Sequence, residues 1–165
     1  MVDFAALINA CARTGRAACA VSALLHDPAA QEEAIRAMAE YRQEVANAIE
    51  WCGKHEQIQS TVSIVHMHDY VAWYLTGSVA QHFSQEHALA LALAYAPDGW
   101  VRVSLRGRKN GANMLALLRK MLEGVEGECG GDEHAAGGMF LRQYEEHFLS
   151  SAKNILEHAF AEEEV

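Results

Sequence analysis

Eight consecutive apolar residues, Ala88 to Tyr95, lead into Ala96-Pro97-Asp98-Gly99 and then into Trp100–Arg106, where apolar and polar residues alternate. The first segment has no polar face, which suits a strand buried on both sides of a sheet. Pro97 is preset for the second position of a turn. In the second segment Val101, Val103 and Leu105 point one way, while Trp100, Arg102, Ser104 and Arg106 point the other. Whatever else the chain does, it must build a covered sheet around this pair.

The other segments supply the cover. Ile58 to Met67 alternates and is β-branched, which predicts a strand. A short helix follows Gly77 through Val79, Ala80 and Phe83; another is expected from Ala112 to Leu122, ended by Gly124 and Gly127. Gly130 to Gly138 reads as a glycine- and alanine-rich loop, Met139 to Leu141 as a short strand, and the rest as a C-terminal helix burying Phe148, Ile155, Leu156 and Phe160. The first third is helical. A helix from Phe4 breaks near Thr14-Gly15; Asp27 caps another with Pro28 in its first turn, which buries Ile35, Met38, Tyr41 or Arg42, Val45, Ile49 and Cys52 and stops at Gly53. The expectation is an α/β fold: a mixed β-sheet flanked by helices (residues 56–160), preceded by an N-terminal helical linker segment (residues 1–55).

Charge is distributed unevenly. The chain of 165 residues carries −9, yet the twenty-four residues from Gly99 to Leu122 hold six basic side chains and no acidic one. They are Arg102, Arg106, Arg108, Lys109, Arg119 and Lys120; outside them stand 7 Lys+Arg against 22 Asp+Glu. A positive island on an acidic protein fits a local anion site rather than general adhesion to polyanions. With 51% apolar and 21% charged residues a packed core is expected, and no apolar run reaches membrane-spanning length. Cys11, Cys19, Cys52 and Cys129 show neither C-x-x-C nor zinc spacing, which suits thiols in a reducing, cytoplasmic setting.

Two segments concentrate chemistry. Ser104 to Asn113 leaves a strand, passes Gly107 and Gly111 and enters a helix. Amides at a helix start favour anions, Arg106 and Arg108 offer planar forks matched to phosphate oxygens, and Ser104 and Asn113 add neutral donors. The alternative is a solvated basic turn. Cys129 to Gly138 is rich in residues without bulk, which suits the close approach of a nucleotide or, alternatively, a tight chain reversal.

In this order the segments resemble one family. Ser104-Leu105-Arg106, a helix, then Gly130-Gly131-Asp132-Glu133-His134-Ala135-Ala136-Gly137 is similar to the signature of the DHH-associated C-terminal domain of RecJ-like exonucleases and related phosphoesterases. Ile8-Asn9-Ala10-Cys11-Ala12-Arg13 resembles the segment ending the catalytic DHH domain. Asp132 stands where the family has histidine, with His134 two residues later, and Ala12 where it has glycine. These departures resemble a divergent branch such as the archaeal RecJ-like proteins. The resemblance implies a module that binds single-stranded DNA or RNA in repair or replication. Its contacts would come from Arg102, Ser104, Arg106, Arg108, Asn113, Gly130, Gly131, His134, Ala135, Ala136 and Gly137. It also implies, as alternatives, a nuclease-dead scaffold meeting GINS-type replication proteins, or a piece of a nanoRNase-type phosphodiesterase. Mn2+ or Mg2+ is expected only in the catalytic DHH domain of a longer parent, since the chain has no D-H-H and no D-x-D. The chain then reads as a fragment or as a gene that lost its catalytic half, with no cofactor of its own. His66 and His68 share a strand face and could hold a metal, but with no further ligand nearby in sequence they read as solvated histidines at a strand end.

Overall fold

The computed structural model describes residues 4–59, 61–107 and 112–161. The chain forms two compact units, residues 1–47 and 48–165, which divide inside a helix.

The first unit is helical. Helix α1 (Phe4–Arg13) ends where Gly15 adopts φ +74°, and α2 (Ala17–Leu24) follows. Helix α3 (Pro28–Gly53) starts on an Asp27 cap, whose Oδ1 accepts from the amides of Ala29 and Ala30 at 2.9 and 3.4 Å. The core here is made of small residues: Leu7, Cys11, Ala20, Ala23, Ala30, Ala34 and Ala37. Ile35, expected inside, is exposed. The buried stripe of α3 follows the alanines, which carry little hydropathy signal but permit close packing.

The second unit is a six-stranded mixed sheet in the order β1-β2-β3-β4-β6-β5. The strands are β1 (Gln57–Gln59), β2 (Val62–His66), β3 (Leu89–Tyr95), β4 (Trp100–Gly107), β5 (Gly127–Gly131) and β6 (Ala135–Leu141). Among these strands only β2 and β3 pair in parallel; the crossover between them is α4 (Thr76–Glu86). Helices α5 (Met114–Met121) and α6 (Glu145–Ala161) follow β4 and β6. On one face Leu89, Leu91 and Leu93 join Val101, Val103, Leu105 and Phe140 against Met114, Leu118, Met121, Phe148 and Leu156. On the other, α4 lies across β3 and β4, where the alanines of β3 leave room for Val79, Ala80 and Phe83. The uninterrupted apolar run is thus the two-sided strand that its composition requires.

One segment differs from expectation. Gly130 to Gly138 is not a loop; it belongs to the β5–β6 hairpin, and β6 begins at Ala135 rather than Met139. Glycine and alanine give a strand no side-chain pattern, so alternation could not report it. The Gly127 and Gly138 positions have no room for a side chain: a Cβ would stand 2.5 Å from the Met139 carbonyl in one case and 2.6 Å from the Glu128 carbonyl in the other.

Candidate nucleic-acid interface

Helix α4 covers β3 and β4, and no helix of the second unit covers the β6 and β5 side of the same face among the described residues. Register places Arg102 beside Met139, Ser104 beside Gly137 and Arg106 beside Ala135, with Gly130 next to Gly137 on the outermost strand. Arg102, Glu128, Gly130, Gly137 and Met139 line a groove of about 440 Å3 there. Its floor is flat because of its glycines. A Cβ on Gly130 would meet nothing within 4 Å, and one on Gly137 only the Val103 carbonyl at 3.5 Å. Neither packing nor a left-handed backbone demands glycine at these two positions.

Arg102 is the cation of the groove. Its Nη2 pairs with Asp98 at 2.6 Å, its guanidinium lies 5.3 Å from the Trp73 ring centroid, and Nη1 contacts Met139 Sδ. Its Nε is buried and has no hydrogen-bond partner among the described residues. The side chain retains 25% exposure. Asp98 therefore neutralises part of the charge at this end of the groove.

The other expected contacts are placed differently. Arg106 Nη1 donates to the carbonyls of Leu105 and Ala136 at 2.9 and 3.0 Å, which ties it to the β6 backbone. Ser104 is buried beneath α4 and donates to Thr76 Oγ1 at 3.0 Å. Asn113 is the N-cap of α5, its Oδ1 accepting from the Ala116 amide at 2.9 Å. The amides of Met114 and Leu115 donate to the carbonyls of Glu133 and Asp132. The start of α5 is thus occupied by the hairpin turn, and the expected outward-pointing amides are not open to an anion. Arg108, with Lys109, Asn110 and Gly111, lies outside the described residues.

Asp132, at the family's histidine position, has a structural task. Its Oδ1 accepts from the amides of His134 and Ala135 at 2.8 and 2.9 Å and closes the β5–β6 turn. Those two amides hold its carboxyl below the usual carboxylate range. Gly131 precedes it at φ +136°, a backbone open only to glycine. His134 sits at the tip, 3.2 Å from Glu133. Gly130, Ala135, Ala136 and Gly137 are therefore strand positions: Gly130 is exposed, Ala135 and Gly137 are half-buried, and Ala136 is buried in the core on the other face of the sheet.

A second constellation lies on the opposite face of the sheet. At the ends of β2 and β3, His66 Nε2 is 3.0 Å from Glu145 Oε1, which also accepts from the Tyr95 hydroxyl at 3.0 Å. His68 stacks on His66 with ring centroids 3.9 Å apart. Burial, then the neighbouring His68, pushes the His66 imidazole pKa down, and burial followed by Glu145 pushes the Tyr95 hydroxyl up. The solvated pair of histidines expected from sequence is part of a half-buried cluster. Glu145, 79 residues away, carried no signal that would connect it to them.

No family model and no curated protein sequence matches this chain. Solved structures do. RecJ of Thermus thermophilus, in complex with Mg2+, superposes over 90% of the chain with a TM-score of 0.75 at 19% identity, and the Mn2+ complex gives 0.76. The chain has the fold of this part of RecJ. It spans 24% of that RecJ chain. The C-Ala domain of Aquifex aeolicus alanyl-tRNA synthetase matches over 61% of the chain and 96% of its own, at 14% identity and a TM-score of 0.51. A Vibrio pGpG-specific phosphodiesterase matches over 75% of the chain and 42% of its own, at 9% and 0.53. The RecJ structures carry hard divalent ions; among the described residues of this chain no carboxylate cluster suited to such an ion occurs, and the one metal-competent group is His66, His68 and Glu145.

Proposed function

We propose that this chain is the single-stranded nucleic-acid-binding module of a RecJ-like, DHH-family exonuclease, positioning the substrate backbone for a catalytic domain outside this sequence. The observation that carries this reading is the glycine floor beside Arg102. Two strand glycines that packing does not require, paired on an uncovered sheet face, make a surface on which a sugar–phosphate chain can lie at backbone distance. Arg102 supplies the cation at one end; Arg106 holds the adjoining strand and adds positive potential; Arg108, outside the described residues, is a further candidate from the sequence. Ser104 and Asn113 act by supporting the strand and the helix rather than by touching the ligand. Gly130 and Gly137 contribute backbone and room, Ala135 lies on the same face, His134 stands at the rim, and Gly131 and Ala136, crowded or buried, act by shaping the hairpin.

The test is fluorescence anisotropy with labelled single strands of DNA and RNA across a salt series. This reading expects binding that weakens linearly in log–log form, with a slope that counts the phosphates engaged. Absence of binding at low salt to both polymers would refute it. The fold likeness to a pGpG-specific phosphodiesterase favours a second reading, a preference for strands a few nucleotides long. Affinity that does not rise from two to about ten nucleotides would select it.

A further inference from the structure

We infer that His66, His68 and Glu145 form a site for a divalent transition metal of the zinc class, with an open coordination position facing the cavity lined by Trp51, His55, Gln57 and Tyr70. One ligand atom from each of the three lies within 4.8 Å of the others, so small side-chain movements bring them around one ion. Two imidazoles and one carboxylate form a donor set that suits zinc, iron, cobalt or nickel rather than magnesium or calcium. Three protein ligands leave a position for water or another ligand. Beside them is a cavity of about 460 Å3, bounded by the stacked Trp51 and His55 rings and by Tyr70.

The surroundings are organised for this role. The His68 carbonyl accepts from the Tyr95 amide at 2.8 Å, which fastens the end of β2 to β3. His68 itself adopts φ +49°, a conformation uncommon for a side chain of this size, and in it the ring stacks on His66. Tyr95 donates to Glu145 Oε1 and so orients the carboxylate from outside the ligand set. The Tyr95 ring is held in turn by the Arg142 guanidinium, 3.6 Å from its centroid. Arg142 opposes a cation nearby, and Glu145 offsets it.

Proton positions are accounted for. His66 Nδ1 accepts from the His68 amide at 3.1 Å, so the neutral ring carries its proton on Nε2, facing Glu145. A metal between His66 Nε2 and Glu145 takes the place of that proton. The proton moves to Nδ1, and the local bond from the His68 amide is given up. No oxidation or reduction is involved. The site lies across the sheet from the glycine groove and stands or falls independently of nucleic-acid binding.

Titration of the full chain with Co2+, followed by visible absorption, tests it. One Co2+ per chain is expected, with ligand-field bands of low coordination number, no thiolate charge-transfer band, and displacement by one Zn2+. His68→Ala and Glu145→Gln should abolish those bands while circular dichroism is retained, and Tyr95→Phe should weaken the affinity about tenfold. Asp69→Asn should leave binding unchanged. Failure of the wild-type chain to bind either metal stoichiometrically would overturn the proposal. Binding that survives both ligand substitutions, or that shows thiolate ligation, would overturn it as well.

Discussion

Gly130 and Gly137 are register partners across β5 and β6; a Cβ on Gly130 would project into open space, and one on Gly137 would meet only the Val103 carbonyl at an ordinary contact distance of 3.5 Å. The neighbouring glycines are different: Gly127 and Gly138 face backbone carbonyls too close to admit a Cβ, and Gly131 has a left-handed backbone. One hairpin therefore contains glycines required by its own fold and glycines that the fold does not need. Strand glycine lowers stability, and the second kind is what supports the proposed approach of a ligand here.

That contrast separates binding from folding. Gly130→Val and Gly137→Val should leave the melting temperature equal to or above that of the wild type and remove single-strand binding. Gly138→Ala should destabilise the chain by about 1–3 kcal/mol through overpacking. Thermal melts and anisotropy on the same preparations check this.

Arg102 and Asp98 form a competing pair at the mouth of the groove. Arg102→Ala should weaken binding about tenfold and reduce the salt slope by roughly 0.7 for a single strand. Asp98→Asn retains the acceptor for the Trp100 amide at Oδ1 and removes the carboxylate that draws off Arg102. Binding by Asp98→Asn should be tighter than wild type at low salt and converge on it at high salt.

Asp132 links turn stability to pH. Its carboxyl lies below the ordinary 3.8 when folded, so its contribution is present above that pH and is lost as pH falls through the lowered folded value. The melting-temperature gap between wild type and Asp132→Ala should hold constant near neutrality and close in strong acid. A gap that widened on acidification would contradict the hydrogen bonds assigned to Oδ1.

Burial raises the Cys52 thiol to about 12 and pushes up Cys11 as well. Thiolate is the reactive form. Iodoacetamide at mildly alkaline pH should leave both unmodified in the native chain and modify them after denaturation, as peptide mass mapping would report.

The sheet's centre was legible because Ala88–Arg106 combines an apolar run, a turn with Pro97 and Gly99, and strict alternation. Asp27 was legible as a cap for the same reason: local chemistry determines local structure. Of the β5–β6 hairpin only Met139–Leu141 was legible as a strand, since the glycines and alanines of the rest leave too little side-chain alternation to read. The glycine motif falls on the face where the groove lies, while Ser104 is held by Thr76, a partner that only the tertiary fold supplies, and Asn113 by the Ala116 amide as a helix cap. The histidine cluster was half legible. His66 and His68 are two residues apart, while Glu145 and Tyr95 reach them only once β3 and α6 have packed.

We propose that a nucleic-acid strand lies along the exposed face of β4, β6 and β5. Amide chemical-shift mapping of the 15N-labelled chain during titration with a single-stranded oligonucleotide tests it most directly. Perturbations concentrated at Gly130, Gly137, Gly138 and Met139, with Arg102 affected and the His66–Glu145 side unmoved, are the expected result. A saturable footprint centred elsewhere, or none on this face at low salt, would contradict it.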